Sequence, residues 1–316
     1  MMHCIILLYI MIITVNKSQI YYDENYIFYV KEYYIYILNL LKIILNNKNI
    51  NINIILGDYD VNFINDNQTM KIGINYEHTL VKKGGRDSDG FPVGKIKYSD
   101  GEYYHVRVLN NNFLNNCDIV IDYSMPNIIN IAESELFKKI SENIVYISPF
   151  LYEYNLKNND RKINLLTTFI NCEEPRRKML LEKMFENDLE VKNVNNCFEN
   201  DKLYDLFSNT KILINIHQTE HHHTFEECRV LPALLSGVIV ISEESPLKEK
   251  IPYNEYIIWS SYENLISTIK NVIINYNTYY NNIFNNEKIN IILNNLKNNN
   301  YEMLSNKIIE KYVLRS

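Results

Sequence analysis

The chain has little with which to build a stapled scaffold. Five cysteines occur in 316 residues, an odd number, and Cys4, Cys117, Cys172, Cys197 and Cys228 lie far apart with no Cys-x-x-Cys. That spacing excludes a disulfide framework and points to a reduced compartment. Basic residues are outnumbered: 32 Lys and Arg against 38 Asp and Glu give a formal charge of -6. They are scattered along the chain. Nucleic-acid binding draws on clustered Lys and Arg, so a nucleic-acid partner is not expected. No Gly-x-Gly-x-x-Gly follows a strand-like run, which removes the dinucleotide-binding fingerprint.

Long hydrophobic runs are also scarce. Residues 5–15 are almost wholly apolar, yet too short to span a bilayer. No basic segment precedes them and no small-residue cleavage site follows. They are expected to form a buried first strand, with no stable membrane insertion and a cytoplasmic location. Glycine is rare as well. Of only eight, five (Gly84, Gly85, Gly90, Gly94 and Gly101) fall between positions 84 and 101. The flanking runs 95–98 and 103–108 read as a hairpin turned at Ser99-Asp100-Gly101. A glycine cluster of this kind marks a loop with unusual backbone angles or close approach by a ligand, or else a plain surface hairpin.

What is present is enough apolar material for two cores, at 47% of the residues. The first half alternates strand-like runs (4–15, 50–56, 70–76, 117–123, 143–148) with helical ones (26–45, 127–140). The polar stretch 149–162 is the expected junction. The second half alternates strands at 165–170, 189–194, 211–216, 238–242 and 256–259 with helices at 175–185, 202–208, 229–236 and 262–274. A helical tail runs from 279 to 313. This β/α alternation predicts parallel sheets in two Rossmann-like domains, 1–150 and 151–316, facing across a cleft.

Ligands of open α/β sheets bind beyond the carboxyl ends of the strands. In the second half those ends carry Thr168, Asn171, Asn215, His217, Ser242, Glu243 and Trp259. Pro232 and Gly237 confine the intervening helix to a short segment starting near Arg229. Its N-terminus and Arg229 would then receive an anion, and the Glu227 carboxylate would suit the paired hydroxyls of a ribose. The alternative reading makes both residues solvated helix-end charges.

Asn215-Ile216-His217, Phe225-Glu226-Glu227-Cys228-Arg229, Leu234-Leu235-Ser236-Gly237 and Val240-Ile241-Ser242-Glu243 together resemble the nucleotide-sugar-binding core of GT-B glycosyltransferases, in the group-1-related branch. The likeness covers about residues 164–275 and is thin before that. The family's Glu-x7-Glu pair is not reproduced; Thr224 and Pro232 occupy the aligned places. The resemblance implies a glycosyltransferase moving a sugar from a nucleotide-diphosphate sugar to a glycan, glycoprotein or other hydroxyl acceptor, without a cofactor or catalytic metal. Donor binding would fall to Arg229, Glu227, His217, Ser242, Glu243, Arg176, Arg177, Thr168 and Asn171. An acceptor base would come from the first domain, with His78 beside Glu77 the first candidate, then Asp122 and Asp87.

Two other classes stay open. One is a non-catalytic nucleotide- or glycan-binding protein of the same fold. The other is a zinc-dependent hydrolase using His217, His221, His222 and His223 with Glu220 and Cys228. Three consecutive histidines cannot all face one ion without a contorted loop, which weighs against it.

Overall fold

The computed structural model describes residues 10–23, 31–57, 69–76, 80–82, 93–97, 101–158, 160–195, 202–219 and 225–315. Strands β1 (Ile10–Val15) and β2 (Ser18–Asp23) form an antiparallel hairpin. Asn16 turns it at φ 55°, a left-handed position that Asn tolerates better than most residues. Met11 and Ile12 are 42% and 55% exposed, so β1 is the sheet's open edge and not the buried strand expected. The buried strand is β2, which is not among the strands expected from sequence.

From β2 the chain runs through α1 (Lys31–Lys48) into β3 (Asn53–Leu56) and β4 (Thr69–Asn75). After a three-stranded excursion it returns as β8 (Ile119–Asp122) and β9 (Ile144–Tyr146). The six-stranded order is β1-β2-β3-β4-β8-β9, parallel from β2 onward. The core explains the pairing. Ile20, Ile54, Ile72, Ile119 and Ile121 line the sheet against Ile37, Leu41 and Ile44 of α1. Each such side chain contributes about 1.5–3 kcal/mol on burial.

The excursion comprises β5 (Leu80–Lys82), β6 (Val93–Lys97) and β7 (Tyr103–Arg107), ordered β5-β7-β6 and antiparallel throughout. Lys97 pairs with Tyr103, so the hairpin expected there forms. The glycine-rich stretch 84–92 and the tip at 98–100 lie outside the described residues. Gly94 packs against Ser134, whose Oγ would lie 2.0 Å from a Cβ at that position, so a side chain there would force Ser134 to shift. Three short helices follow, α2 (Asn111–Leu114), α3 (Met125–Glu133) and α4 (Lys138–Asn143). The single helix expected at 127–140 is therefore two helices. Ser134, in extended backbone, ends the first, and a 3-10 turn brings Phe137 into the core.

The second sheet is wholly parallel. Its strands are β10 (Ile163–Thr167), β11 (Val191–Asn193), β12 (Thr210–Asn215), β13 (Ile239–Glu243) and β14 (Ile257–Ser260), in the order β11-β10-β12-β13-β14. The connecting helices are α5 (Pro175–Glu186), α6 (Leu203–Ser208), α7 (Glu227–Leu235) and α8 (Leu265–Ile274), followed by α9 (Tyr276–Phe284) and α10 (Glu287–Val313). Helix α7 begins two residues earlier than expected and runs through Pro232. Packing holds it, because Val230, Leu231, Ala233, Leu234 and Leu235 are all fully buried. Gly237 follows at φ 68°, where a Cβ would lie 2.9 Å from Tyr280 Oη and 3.0 Å from Arg161 Nη2.

Helix α10 belongs to both cores. Ile289, Leu293 and Leu296 pack with the second sheet, while Leu304 and Ile308 pack with the first. Asn300 marks the crossing. Its Oδ1 accepts from Ser148 N at 2.8 Å, and its Nδ2 donates to Ser148 O at 2.9 Å and Tyr36 Oη at 2.7 Å. Among the described residues no helix is long and apolar enough to cross a membrane.

Candidate functional site

The carboxyl ends of β10, β12 and β13 bring together Thr168, Asn215, His217, Ser242 and Glu243. Helices α5 and α7 add Arg176, Arg177 and Arg229. Asn193, at the end of β11, shapes the floor. Its Oδ1 accepts from Thr167 Oγ1 and Phe169 N at 2.9 Å each, and its Nδ2 donates to Phe169 O at 3.1 Å. This fixes the turn that presents Thr168. A pattern search for charged or histidine residues passes over an Asn used in this way.

Arg177 and Arg229 are buried, with 5% and 6% exposure. The Arg177 guanidinium lies over the Phe169 ring, 4.8 Å from its centroid. Arg229 Nη1 donates to Asn215 Oδ1 at 3.2 Å, and its nearest carboxylate, Glu226, is 4.0 Å away. Asn215 is itself held, its Nδ2 donating to Ser242 Oγ at 3.0 Å. The Nε groups of Arg177 and Arg229 and the Oγ1 of Thr168 are buried with no hydrogen-bond partner. Burial, and then the charge of Arg229, bring the Arg177 guanidinium down to about 10. Buried polar groups are almost always satisfied, and leaving one unpaired costs about 1–3 kcal/mol. Two guanidinium Nε groups and a hydroxyl in that condition are chemically suited to an oxyanion.

Arg176 behaves differently. Both its Nη atoms donate to Glu243, Nη1 at 2.5 Å. Its plane stacks on Tyr262 at 3.9 Å, and Tyr262 Oη donates to the Arg176 carbonyl at 2.7 Å. Glu243 also accepts from the His217 backbone N at 3.1 Å. These residues line a cavity of about 460 Å³ with Glu174, Met179, Gln218 and Glu263. Among the described residues its one arginine is held by Glu243 and further carboxylates border it, so the cavity favours uncharged, hydrogen-bonding groups over phosphate.

The carboxylates singled out from sequence have other partners. Glu227, assigned to a ribose, is fully buried. Its Oε1 accepts from Met125 N at 3.1 Å, and its Oε2 accepts from Tyr146 Oη at 2.9 Å and Tyr253 Oη at 3.0 Å. Burial pushes its carboxyl up to about 7 against these hydrogen bonds. Asp122 is also fully buried. Asn75 Nδ2 donates to its Oδ2 at 2.6 Å, and Ser124 N donates to its Oδ1 at 2.8 Å, closing the turn from β8 into α3. The solvated reading of Glu227 and Arg229 is overturned by their burial. The helix N-terminus, expected to receive the anion, carries Glu226 and Glu227. Among the described residues the cationic character comes from the guanidiniums.

Asn171 lies exposed on the loop between β10 and α5. Glu77, His78 and Asp87 fall outside the described residues, as do Glu220, His221, His222, His223 and Thr224. Among the described residues no three His, Cys, Asp or Glu side chains are grouped as metal ligands. Tyr253 and Tyr262, within the stretch that the glycosyltransferase resemblance covers, complete the arrangement together with Tyr146 and Asn193. In a chain with 26 tyrosines, no local signal separates Tyr146 from the rest.

No protein-family profile matches the chain. It is similar to an uncharacterized protein of Acanthamoeba polyphaga mimivirus, with 30% identity over 169 residues. That match covers 52% of this chain and 56% of the relative.

Proposed function

We propose that the protein is a glycosyltransferase that takes its sugar from a nucleotide-diphosphate donor. Two Rossmann-like domains, 1–150 and 151–316, would face each other across a cleft in the GT-B manner. One observation carries the reading. Arg177, Arg229 and Thr168 bury three unpartnered polar atoms beyond the carboxyl ends of a parallel sheet, where α/β folds receive phosphorylated ligands. The diphosphate sits on the two guanidiniums. The nucleoside enters the cavity beside Arg176 and Tyr262, which favours uncharged hydrogen-bonding groups. As the anomeric carbon–oxygen bond breaks, negative charge grows on the leaving diphosphate, and fixed guanidiniums in a dry site stabilise it. The acceptor hydroxyl approaches from the first domain and loses its proton to a base there, with Glu77 and His78 as candidates. No metal is needed for charge stabilisation in this scheme.

A second reading is a binding protein of the same fold without turnover. The full engagement of Asp122 and Glu227 favours it, because neither presents a free carboxylate to an acceptor.

The test is a thermal-shift and calorimetric screen against UDP-, GDP-, ADP- and dTDP-sugars, with and without EDTA. Stabilisation by one nucleotide series that persists in EDTA supports the proposal and names the donor class. No response to any diphosphate removes the anion site. A protein destabilised by EDTA alone would bring the histidine cluster at 217–223 forward.

A further inference from the structure

Glu227 stands where the two sheets' territories meet. It is the first residue of α7, beside the second sheet, yet two of its three donors come from the other side. Met125 N opens α3 and Tyr146 lies on β9, both of the first sheet's half, whereas Tyr253 follows β13 of the second. One fully buried carboxylate is thus hydrogen-bonded to both halves at 2.9–3.1 Å.

We propose that Glu227 is a protonation-sensitive pin between the two halves, holding them together when neutral and loosening them when charged. The argument is one of solvation. With the halves together, the carboxyl is enclosed by protein, and a charge there loses its hydration. With the halves apart, Glu227 meets water and ionises as any exposed glutamate does. The three donors offset part of the enclosed charge's cost, which leaves the group titrating near neutrality instead of far above it. Other groups around it do not take over this role. Burial first, then neighbouring charge, raises the Tyr33 hydroxyl of α1, those of Tyr146 and Tyr253, and the Cys228 thiol well above their usual ranges. Asp122 at the end of β8 and Glu226, just before α7, add negative charge that raises the Cys228 thiol further. Arg229, two residues along, opposes their effect on the thiol.

Proton linkage fixes the sign. The joined state binds the proton more tightly than the opened state, so its advantage is complete below about pH 4.5 and is lost as pH rises through about 7. Opening is therefore favoured on the alkaline side, by about tenfold between pH 6 and pH 8. The inference concerns the joint alone and holds whatever the anion site binds.

The Met125 amide reports the pin directly, because it donates to Glu227. Its hydrogen-exchange protection factor in the full chain, by NMR at pH 6 and pH 8, is expected to fall about tenfold. In Glu227→Gln the same protection factor should be independent of pH. An unchanged wild-type value, or an equal fall in Glu227→Gln, overturns the proposal. Should that variant not fold, Tyr253→Phe keeps the carboxyl and removes one donor to its charged form. The fall should then be centred at higher pH, and an unmoved midpoint overturns the proposal equally.

Discussion

Arg176 and Arg177 are neighbours in the chain and opposites in the structure. The first is held by both Nη atoms on Glu243 and stacked on Tyr262. The second lies over Phe169 with its Nε unpartnered, close to a second guanidinium. Successive helical residues point about 100° apart, so a pair of arginines at the start of α5 addresses two compartments. One is bordered by carboxylates and suited to uncharged hydrogen-bonding groups. The other is cationic and unsatisfied. This division underlies the first two predictions.

Arg229→Ala should weaken binding of a nucleoside diphosphate by roughly 2–4 kcal/mol, the usual effect of removing one partner of a buried charged contact. The fold should persist, because Arg177 loses a nearby like charge. Calorimetry with the best diphosphate from the screen, alongside a circular dichroism spectrum, measures both. Unaltered affinity in a folded variant would discard the anion site.

Thr168→Val separates ligand binding from stability. It replaces a buried hydroxyl that lacks a partner with a methyl group of similar size, so the unliganded protein should become more stable by about 1 kcal/mol. Diphosphate affinity should fall at the same time. A urea titration of both proteins decides the first half, and a loss of stability would mean that the hydroxyl is satisfied in solution.

The stability of the whole chain should carry the signature of Glu227. Its carboxyl is raised from 4.5 to about 7 in the folded protein, so its protonated form favours folding. Its contribution is complete below about pH 4.5, declines as pH rises, and is lost above about 7. The total effect is roughly 3 kcal/mol. Other carboxylates titrate over the same range, so the quantity to measure is the wild type minus Glu227→Gln across pH 4.5–8. A flat difference would show that the carboxyl is not raised.

Gly237→Ala should destabilise the protein by roughly 1–3 kcal/mol. The residue sits at φ 68°, and a Cβ there would press on Tyr280 Oη and Arg161 Nη2. Both the left-handed backbone and the contact oppose the methyl group. Arg161 is the joint that would shift, since its guanidinium donates to Ser236 O at 2.7 Å and Thr210 O at 2.7 Å. Thermal unfolding is the measurement, and an unchanged midpoint would contradict the crowding.

Local pattern carried much of the second sheet. The strands expected at 165–170, 211–216, 238–242 and 256–259 overlap β10, β12, β13 and β14. Pro175 marks the start of α5, as its place in a first turn predicts. Continuous apolar runs between polar breaks are unambiguous when both faces of a parallel sheet are covered. The same rule predicted the strand at residues 10–15 but not its exposure, and residues 4–9 lie outside the described residues. The apolar side chains of β1 lie at an open edge, and exposure depends on what packs alongside. The break at Ser134 was equally hidden, because it serves the approach of Gly94 and the burial of Phe137.

For the site, the sequence by itself determined which strand ends carry polar residues, and it placed arginines and glutamates near them. Only the tertiary structure decided their roles. Helical periodicity puts Glu227 and Arg229 in the first turn of α7, but nothing in it says that one meets Tyr146 across the chain and the other meets Asn215. Residues 81 and 14 positions apart are joined by those two contacts. Whether a charge binds a ligand or pins the fold depends on which groups surround it and how much water is excluded, and both are properties of packing between distant segments.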